Sequence, residues 1–296
     1  MKDVTYRGDD GCELSATLLG QGPPLALLHA GGPDRWSLLP LARHLEEHVT
    51  VILPDIRGYG QSVCADPARH TWQQYTDDLF ALLDHLGIGQ AAVGGTGLGS
   101  TISLRAALDR PERITGVIPV GVEDIEDDAA KAAEIAFLDA FAERARAQGL
   151  HAAWAPILPT LPPVVGAMVR DAIPRSDVDS IVAAAAVGHD RSFEHVDELA
   201  GVRAPALVFP GTDWRHPRHL AERAAELMPA GRLAPVAVSE EMRTAEDLAD
   251  AVAPWILEFL TATGRAAGRG PEQDGASPPP ADGGPRSPEG AHGTTG

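Results

Sequence analysis

Cysteine and basic residues are both scarce in this chain of 296 residues, and each shortage excludes a class of protein. The only cysteines are Cys12 and Cys64, too few for a disulfide framework or for a metal site built from cysteines alone. Lysine and arginine number 24 against 42 aspartates and glutamates, so the formal net charge is −18. Such a surface repels nucleic acids and anionic membranes. We therefore expect no nucleic-acid partner. No ligand spacing typical of a metal site is present either, so we expect no metal, and we expect no cofactor.

Long apolar runs are also missing. No stretch approaches the roughly 18 apolar residues that a membrane-spanning helix needs. Residues 1–10 lack the apolar centre of a signal peptide. The sequence therefore predicts a soluble cytoplasmic protein with no membrane partner. Apolar residues still make up 44% of the chain, which is enough to bury a large core.

Short apolar strands alternate with helical patterns along the first 122 residues. An Asp-Gly turn within residues 9–11 predicts a β-hairpin. Further strands are predicted at residues 25–28, 49–54 and 114–122, with another beginning at residue 91, and helices at residues 36–48 and 71–86. Strands that alternate with helices are typical of βαβ units and a mostly parallel sheet.

The pattern changes after residue 122. Residues 123–187 are rich in alanine and helical in pattern, with several proline breaks and no clear strand. Strands are predicted again at residues 206–210 and 233–238, and helices at residues 218–228 and 244–261. The predicted organisation is a core in two parts (residues 1–122 and 201–263), a helical cap (123–200) and a disordered tail (264–296) rich in glycine and proline.

Four short motifs, each at the end of a predicted strand, carry the strongest signal. They are His29-Ala30-Gly31-Gly32-Pro33, the segment 55–62 (DIRGYGQS), Gly95-Thr96-Gly97-Leu98-Gly99, and the strand that ends in a loop at Asp213. In this order, over roughly residues 4–262, they resemble the α/β-hydrolase superfamily. The resemblance implies an α/β fold with a mostly parallel eight-stranded sheet, helices on both faces and an inserted helical cap.

The resemblance also implies a catalytic site that lacks its central side chain here. The third motif is similar to a nucleophile elbow, G-x-S-x-G, but Gly97 takes the serine position. The histidine base of the family should follow the last strand, yet residues 236–244 contain no histidine. Classical serine hydrolysis is therefore not expected. The N-myc downstream-regulated proteins, which are regarded as non-hydrolytic, look similar at the elbow.

Backbone groups remain as candidate binding elements. The resemblance implies that the N–H groups of Leu98 and Ala30 form an oxyanion hole, with Gly31 and Gly97 beside them. The N-terminal end of the elbow helix adds positive potential there. His29 lies at the same turn and is a candidate for contact with a ligand.

Two acidic segments and one histidine are candidates for chemistry. Asp213 stands where the resemblance implies the catalytic acid, and His216 follows three residues later. The two could act together as a general base, although we favour the interpretation that His216 starts the next helix. Glu123 and Asp124 could supply another acid, but a solvated acidic run is the preferred interpretation.

Three functional classes remain open. The first is a non-catalytic protein that binds a small apolar carbonyl compound. The second is an enzyme that uses acid/base chemistry without a covalent intermediate, as a lyase, cyclase or isomerase does, with His29 or His216. The third is an ester hydrolase in which Asp213 and His216 activate water. We rank the first two together above the third, and in all three the partner is a small molecule.

Overall fold

The computed structural model describes residues 1–123, 125 and 127–268, and one eight-stranded sheet forms its centre. Strands β1 to β8 cover Lys2–Arg7, Glu13–Leu19, Pro24–Leu28, Thr50–Pro54, Ala91–Thr96, Ile114–Val120, Ala206–Val208 and Gly231–Leu233. The order across the sheet is β1-β2-β4-β3-β5-β6-β7-β8. The hairpin β1–β2 and the pair β2–β4 are antiparallel, and all other pairs are parallel. The predicted hairpin and mostly parallel sheet are confirmed.

Helices cover both faces of this sheet. The α-helices α1 to α9 run over Leu39–Leu45, Trp72–His85, Leu98–Asp109, Asp128–Gln148, Leu150–Trp154, Pro163–Ala172, Val178–Ala184, Arg218–Leu227 and Ala245–Gly268. Successive side chains of a strand point to opposite faces. Accordingly, Leu25 and Leu27 of β3 pack in one core with α1 and α9, whereas Ala26 and Leu28 pack in a second core with α2, α3 and α8.

The chain between β6 and β7 is helical. Helices α4 to α7 lie here with several 3₁₀ turns, and no strand occurs among the described residues of this stretch. We call residues 128–201 the helical segment. Its side chains and the turn after β5 line one cavity, so the segment lies over the carboxyl ends of the central parallel strands. Ligands bind at this edge in open α/β sheets.

Two boundaries differ from the sequence prediction. The last strand is β8 at Gly231–Leu233 and not residues 233–238. Beyond β8 the pairing is irregular. The N–H of Ala234 still donates to the Val208 carbonyl oxygen, but the next hydrogen bond to the β7 segment comes only from Val238, which donates to the Pro210 carbonyl oxygen. Helix α9 continues to residue 268, which places residues 264–268 in a helix. The rest of the predicted tail, residues 269–296, lies outside the described residues.

Buried ion pairs fix the loop that follows β4. Asp55 Oδ2 accepts a hydrogen bond of 2.6 Å from Arg35 Nη1, and both side chains are almost fully buried. Arg57 donates to both carboxylate oxygens of Asp78 and to Asp10. These contacts hold the DIRGYGQS segment rigidly beside the cavity. None of the described helices is both long and apolar enough to cross a membrane.

Candidate functional site

The turn after β5 has the sharp backbone of a nucleophile elbow. Gly97 has φ 48° and ψ −113°, a conformation that residues with a side chain seldom adopt, and α3 begins directly after it at Leu98. A Cβ at Gly95 or Gly99 would collide with the carbonyl oxygen of Leu28 on the neighbouring strand. Close packing between β3 and the elbow therefore requires both flanking glycines, which explains their spacing in the motif.

Two backbone amides of the predicted oxyanion hole line the same cavity. Ala30 lies in the turn after β3 and Leu98 is the first residue of α3, and both contact the cavity together with Gly31. The first N–H groups of a helix have no partner within it. Neither amide donates a hydrogen bond inside the described part of the chain. Both are thus available to a ligand oxygen.

His29 supports this turn and does not face the cavity, which corrects the prediction that it contacts a ligand. Its side chain is fully buried, and Nε2 accepts a hydrogen bond of 2.9 Å from the Ile56 N–H. Nδ1 must then carry the proton and donates to the Ala30 carbonyl oxygen at 2.8 Å. Burial lowers the pKa of His29, consistent with a neutral ring. His29 therefore fixes the orientation of the Ala30 carbonyl group.

Asp213 and His216 form the pair that their spacing allows. His216 Nδ1 lies 2.9 Å from both carboxylate oxygens of Asp213, and the backbone N–H of His216 also donates to Asp213. His216 Nε2 lies 3.2 Å from the point that a Cβ at position 97 would occupy. The histidine thus reaches the elbow from the loop before α8, and Pro217 occupies the N-cap position of that helix. The interpretation that His216 only starts a helix is wrong.

Glu123 is the residue of this site that the sequence analysis undervalued. It follows β6, and only 5% of its surface is exposed, so the expected solvated acidic run is wrong at this position. Its Oε2 lies 3.0 Å from His216 Nε2 and 3.1 Å from Arg215 Nη2. Its Oε1 lies 3.2 Å from the point of a Cβ at Gly97. Asp124, named with it in the sequence analysis, lies outside the described residues.

The two carboxylates keep His216 charged. Burial lowers the pKa of His216, but the charge of Glu123 and the hydrogen bonds with Asp213 and Glu123 raise it by more, to about 10. Burial raises the pKa of Asp213, and its hydrogen bond with His216 outweighs this and lowers the pKa overall. At neutral pH His216 is therefore an imidazolium with a proton on each ring nitrogen and cannot accept another.

An apolar cavity opens above these groups. Its floor contains Gly97, Glu123 and His216, while the helical segment supplies most of its walls. Those wall residues are mainly aliphatic or aromatic: Phe137, Leu138, Phe141, Trp154, Ile157, Leu161, Val165, Val169, Ile181, Ala184, Ala185 and Val187. Arg215 lies at its edge, paired with Glu123 and Glu134. A ligand here meets an apolar enclosure with its few polar groups gathered at one end, as is typical of small-molecule sites.

A second apolar cavity meets the first at the elbow. Ala30, Gly97, Val165 and His216 line both cavities, and the second extends toward Leu248 of α9. Both cavities therefore border the position that a side chain at Gly97 would occupy.

Comparison with known proteins identifies the fold family. Residues 23–152 match the family described as alpha/beta hydrolase fold. The chain also matches the structure of a thermophilic esterase from Thermogutta terrifontis with a TM-score of 0.75 and 25% identity, over 89% of this chain and 99% of that one. The chain belongs to the α/β-hydrolase superfamily. Its eight-stranded sheet and elbow are those of the α/β-hydrolase fold.

Two curated relatives match shorter segments of this chain. Epoxide hydrolase 3 of Siraitia grosvenorii is 32% identical over 138 residues, which are 45% of this chain and 41% of the relative. The magnesium-chelatase 30 kDa subunit of Rhodobacter capsulatus is 36% identical over 97 residues, 32% of this chain and 34% of the relative. The chain thus spans well under two thirds of the length of these relatives.

Proposed function

We propose that this protein binds a small apolar carbonyl compound and forms no covalent bond with it. The carbonyl oxygen would accept hydrogen bonds from the N–H groups of Ala30 and Leu98. One observation carries the proposal: the elbow keeps its backbone conformation and its cavity while Gly97 offers no atom that can attack. A binding site of the hydrolase type is thus retained without the nucleophile that the covalent mechanism needs.

Chemistry at such a site would be of the acid/base kind. A charged His216 beside the two amides supplies a proton or a positive charge to a developing oxyanion, which favours a lyase, cyclase or isomerase type of reaction. A protein that only binds the compound would need the same cavity and the same two amides. The protein is proposed to act on small molecules in the cytoplasm, and its net charge of −18 argues against nucleic acid and anionic membranes as partners.

Ester hydrolysis by relocated residues is the competing proposal. The Asp213–His216 pair lies within reach of the elbow, which favours it. To activate water, however, His216 must accept a proton at Nε2. That atom faces Glu123 at 3.0 Å, and the His216 pKa of about 10 keeps it protonated. These two facts rank hydrolysis below non-covalent chemistry.

Calorimetric titration with acetophenone, a small apolar ketone, tests the proposed binding. Val165 lines both cavities, so Val165→Phe should fill them and weaken binding at least tenfold. The same change at Val178, which is exposed on α7, is the matched control and should leave binding unchanged. Absence of binding to the wild-type protein, or equal binding by both variants, contradicts the proposal.

A second assay separates the competing reactions. The wild-type protein should release no burst of nitrophenol from nitrophenyl acetate, and intact-protein mass spectrometry should find no acetylated species. Steady ester turnover without an acyl-protein, lost in His216→Gln, would instead support hydrolysis by the relocated pair.

A further inference from the structure

The carboxylate of Glu123 stands beside the empty nucleophile position. Its Oε1 lies 3.2 Å from the point where a Cβ at Gly97 would be, as close as His216 Nε2. Its other oxygen, Oε2, forms the ion pairs with Arg215 and His216. Among the described residues, this carboxylate pairs with cations only through the contacts of Oε2, and Glu123 lines the cavity. One oxygen is thus anchored while the other faces the space left by the missing side chain.

The position of Oε1 relative to the two amides decides what it can do. In the hydrolase arrangement, the atom at the nucleophile position lies next to a carbonyl group whose oxygen occupies the oxyanion hole. A carboxylate oxygen that borders this position, as Oε1 does, is within reach of the carbonyl group and of the carbon bonded to it. Attack on the carbonyl carbon of an ester would expel its alcohol and leave an anhydride, whose hydrolysis needs a neutral base that the charged His216 does not supply. A ketone has no leaving group, so attack on it would give an adduct that can only revert. Removal of a proton needs only the carboxylate itself.

We propose that Glu123 is a catalytic base that removes a proton from the carbon next to a carbonyl group held by the Ala30 and Leu98 amides. This inference rests on the proposed binding of a carbonyl compound. The C–H bond breaks and its proton moves to Oε1. Its electron pair forms a C=C bond, and the carbonyl π electrons move to the oxygen, giving an enolate. The reverse step returns a proton to carbon, so no further reactant is consumed.

Charge in the site suits this step. The enolate oxygen receives two N–H donors and the positive end of α3. The imidazolium of His216 and the guanidinium of Arg215 lie 3.0 Å and 3.1 Å from Glu123 Oε2. They fix the carboxylate in one orientation, so that Oε1 remains directed at the elbow. The substrate class is an apolar ketone that carries hydrogen on the carbon next to its carbonyl group.

Proton exchange in heavy water tests the proposal directly. Phenylacetone incubated with the wild-type protein in D₂O should gain deuterium next to its carbonyl group, followed by proton NMR, faster than in buffer alone. Glu123→Gln keeps the size of the side chain but removes the base, and the exchange rate should fall by at least a factor of about 100. Glu222→Gln, which alters an exposed ion pair on α8, should exchange like the wild type.

The outcomes distinguish this inference from the binding proposal on which it rests. If calorimetry shows that phenylacetone binds the wild-type protein but no exchange exceeds that of buffer, Glu123 is not a base and the binding proposal stands. If phenylacetone does not bind, the binding proposal itself fails. Exchange by a folded Glu123→Gln variant at the wild-type rate also overturns the inference. If that variant does not fold, absence of exchange by the wild-type protein still overturns the inference, and comparison with Glu123→Ala then assigns any exchange to this residue.

Discussion

Replacing Gly97 by serine rebuilds the missing nucleophile in its own backbone turn. The new Cβ would lie 3.2 Å from both Glu123 Oε1 and His216 Nε2, so these side chains must shift by a few tenths of an ångström. The residue must also keep φ near 48°, which costs about 1–3 kcal/mol for a residue with a side chain. We expect the free energy of unfolding in urea to fall by about this amount. Gly97→Ala, with the same Cβ and no hydroxyl, should lose a similar amount.

The rebuilt serine should nevertheless be a poor nucleophile at pH 7. Its hydroxyl needs a neutral His216 to take the proton, and the His216 pKa is about 10. About one His216 in a thousand is neutral at pH 7, and this fraction rises tenfold with each pH unit up to the pKa. The rate of acyl-protein formation by Gly97→Ser should follow the same slope.

Burst kinetics with nitrophenyl acetate between pH 6.5 and 9.5 measure this slope. Addition of Glu123→Gln to Gly97→Ser removes the charge that raises the His216 pKa, so the double variant should acylate at least tenfold faster at pH 7. Gly97→Ala should give no burst at any pH. A fast burst by Gly97→Ser at pH 7 that does not change up to pH 9 would refute the reasoning, since it would require a neutral His216.

Three further predictions concern stability. The pKa of His216 is about 10 in the folded protein and about 6.5 in the unfolded chain. The contribution of protonated His216 to the free energy of unfolding is therefore complete below pH 6.5. It is lost as the pH rises toward 10, by up to about 1.4 kcal/mol per pH unit. The loss of unfolding free energy over this pH range, measured by urea titration, should be smaller for Glu123→Gln than for the wild type. An equal loss would contradict an ion pair between Glu123 and His216. Burial lowers the His70 pKa to about 4, so stability should fall as pH drops from 6.5 toward 4, and less steeply in His70→Gln. Arg57→Met leaves two carboxylates without their buried cation and should cost about 3–5 kcal/mol, against under about 1 kcal/mol for Arg218→Met at an exposed pair.

The fold could be predicted because its signals are local. The Asp-Gly hairpin, the alternation of strands with helices and the glycine turns each depend on a few neighbouring residues. Even the close approach of Leu28 to Gly95 and Gly99 is indicated by the spacing of the glycines. The end of the last strand was misplaced because the apolar pattern continues to Val238, whereas regular pairing with the partner strand β7 ends near Ala234.

The chemistry of the site could be predicted only in part. The three-residue spacing of Asp213 and His216 indicates their pairing, but the distance of His216 from the elbow depends on how the loop folds over the sheet edge. The burial of Glu123 depends on contacts with residues about 90 positions away in the sequence, which no local pattern records. Glu123 follows β6, which lies beside the elbow strand in the sheet. This position is the one sequence signal that could have ranked Glu123 higher as a candidate site residue.

Gly97 and Glu123 are best understood as one coupled pair. Glu123 Oε1 lies 3.2 Å from the point that a Cβ at position 97 would occupy, which is closer than an ordinary contact, so a side chain at position 97 and the carboxylate constrain each other. In the wild-type background, Gly97→Ala should lose unfolding free energy both through backbone strain and through the close contact with Glu123 Oε1. In a Glu123→Ala background, only the loss through backbone strain remains. A double-mutant cycle of unfolding free energies should therefore give a coupling of about 0.5–3 kcal/mol. Strictly additive effects would mean that the carboxylate moves away freely, and would remove the geometric basis for Glu123 as a base.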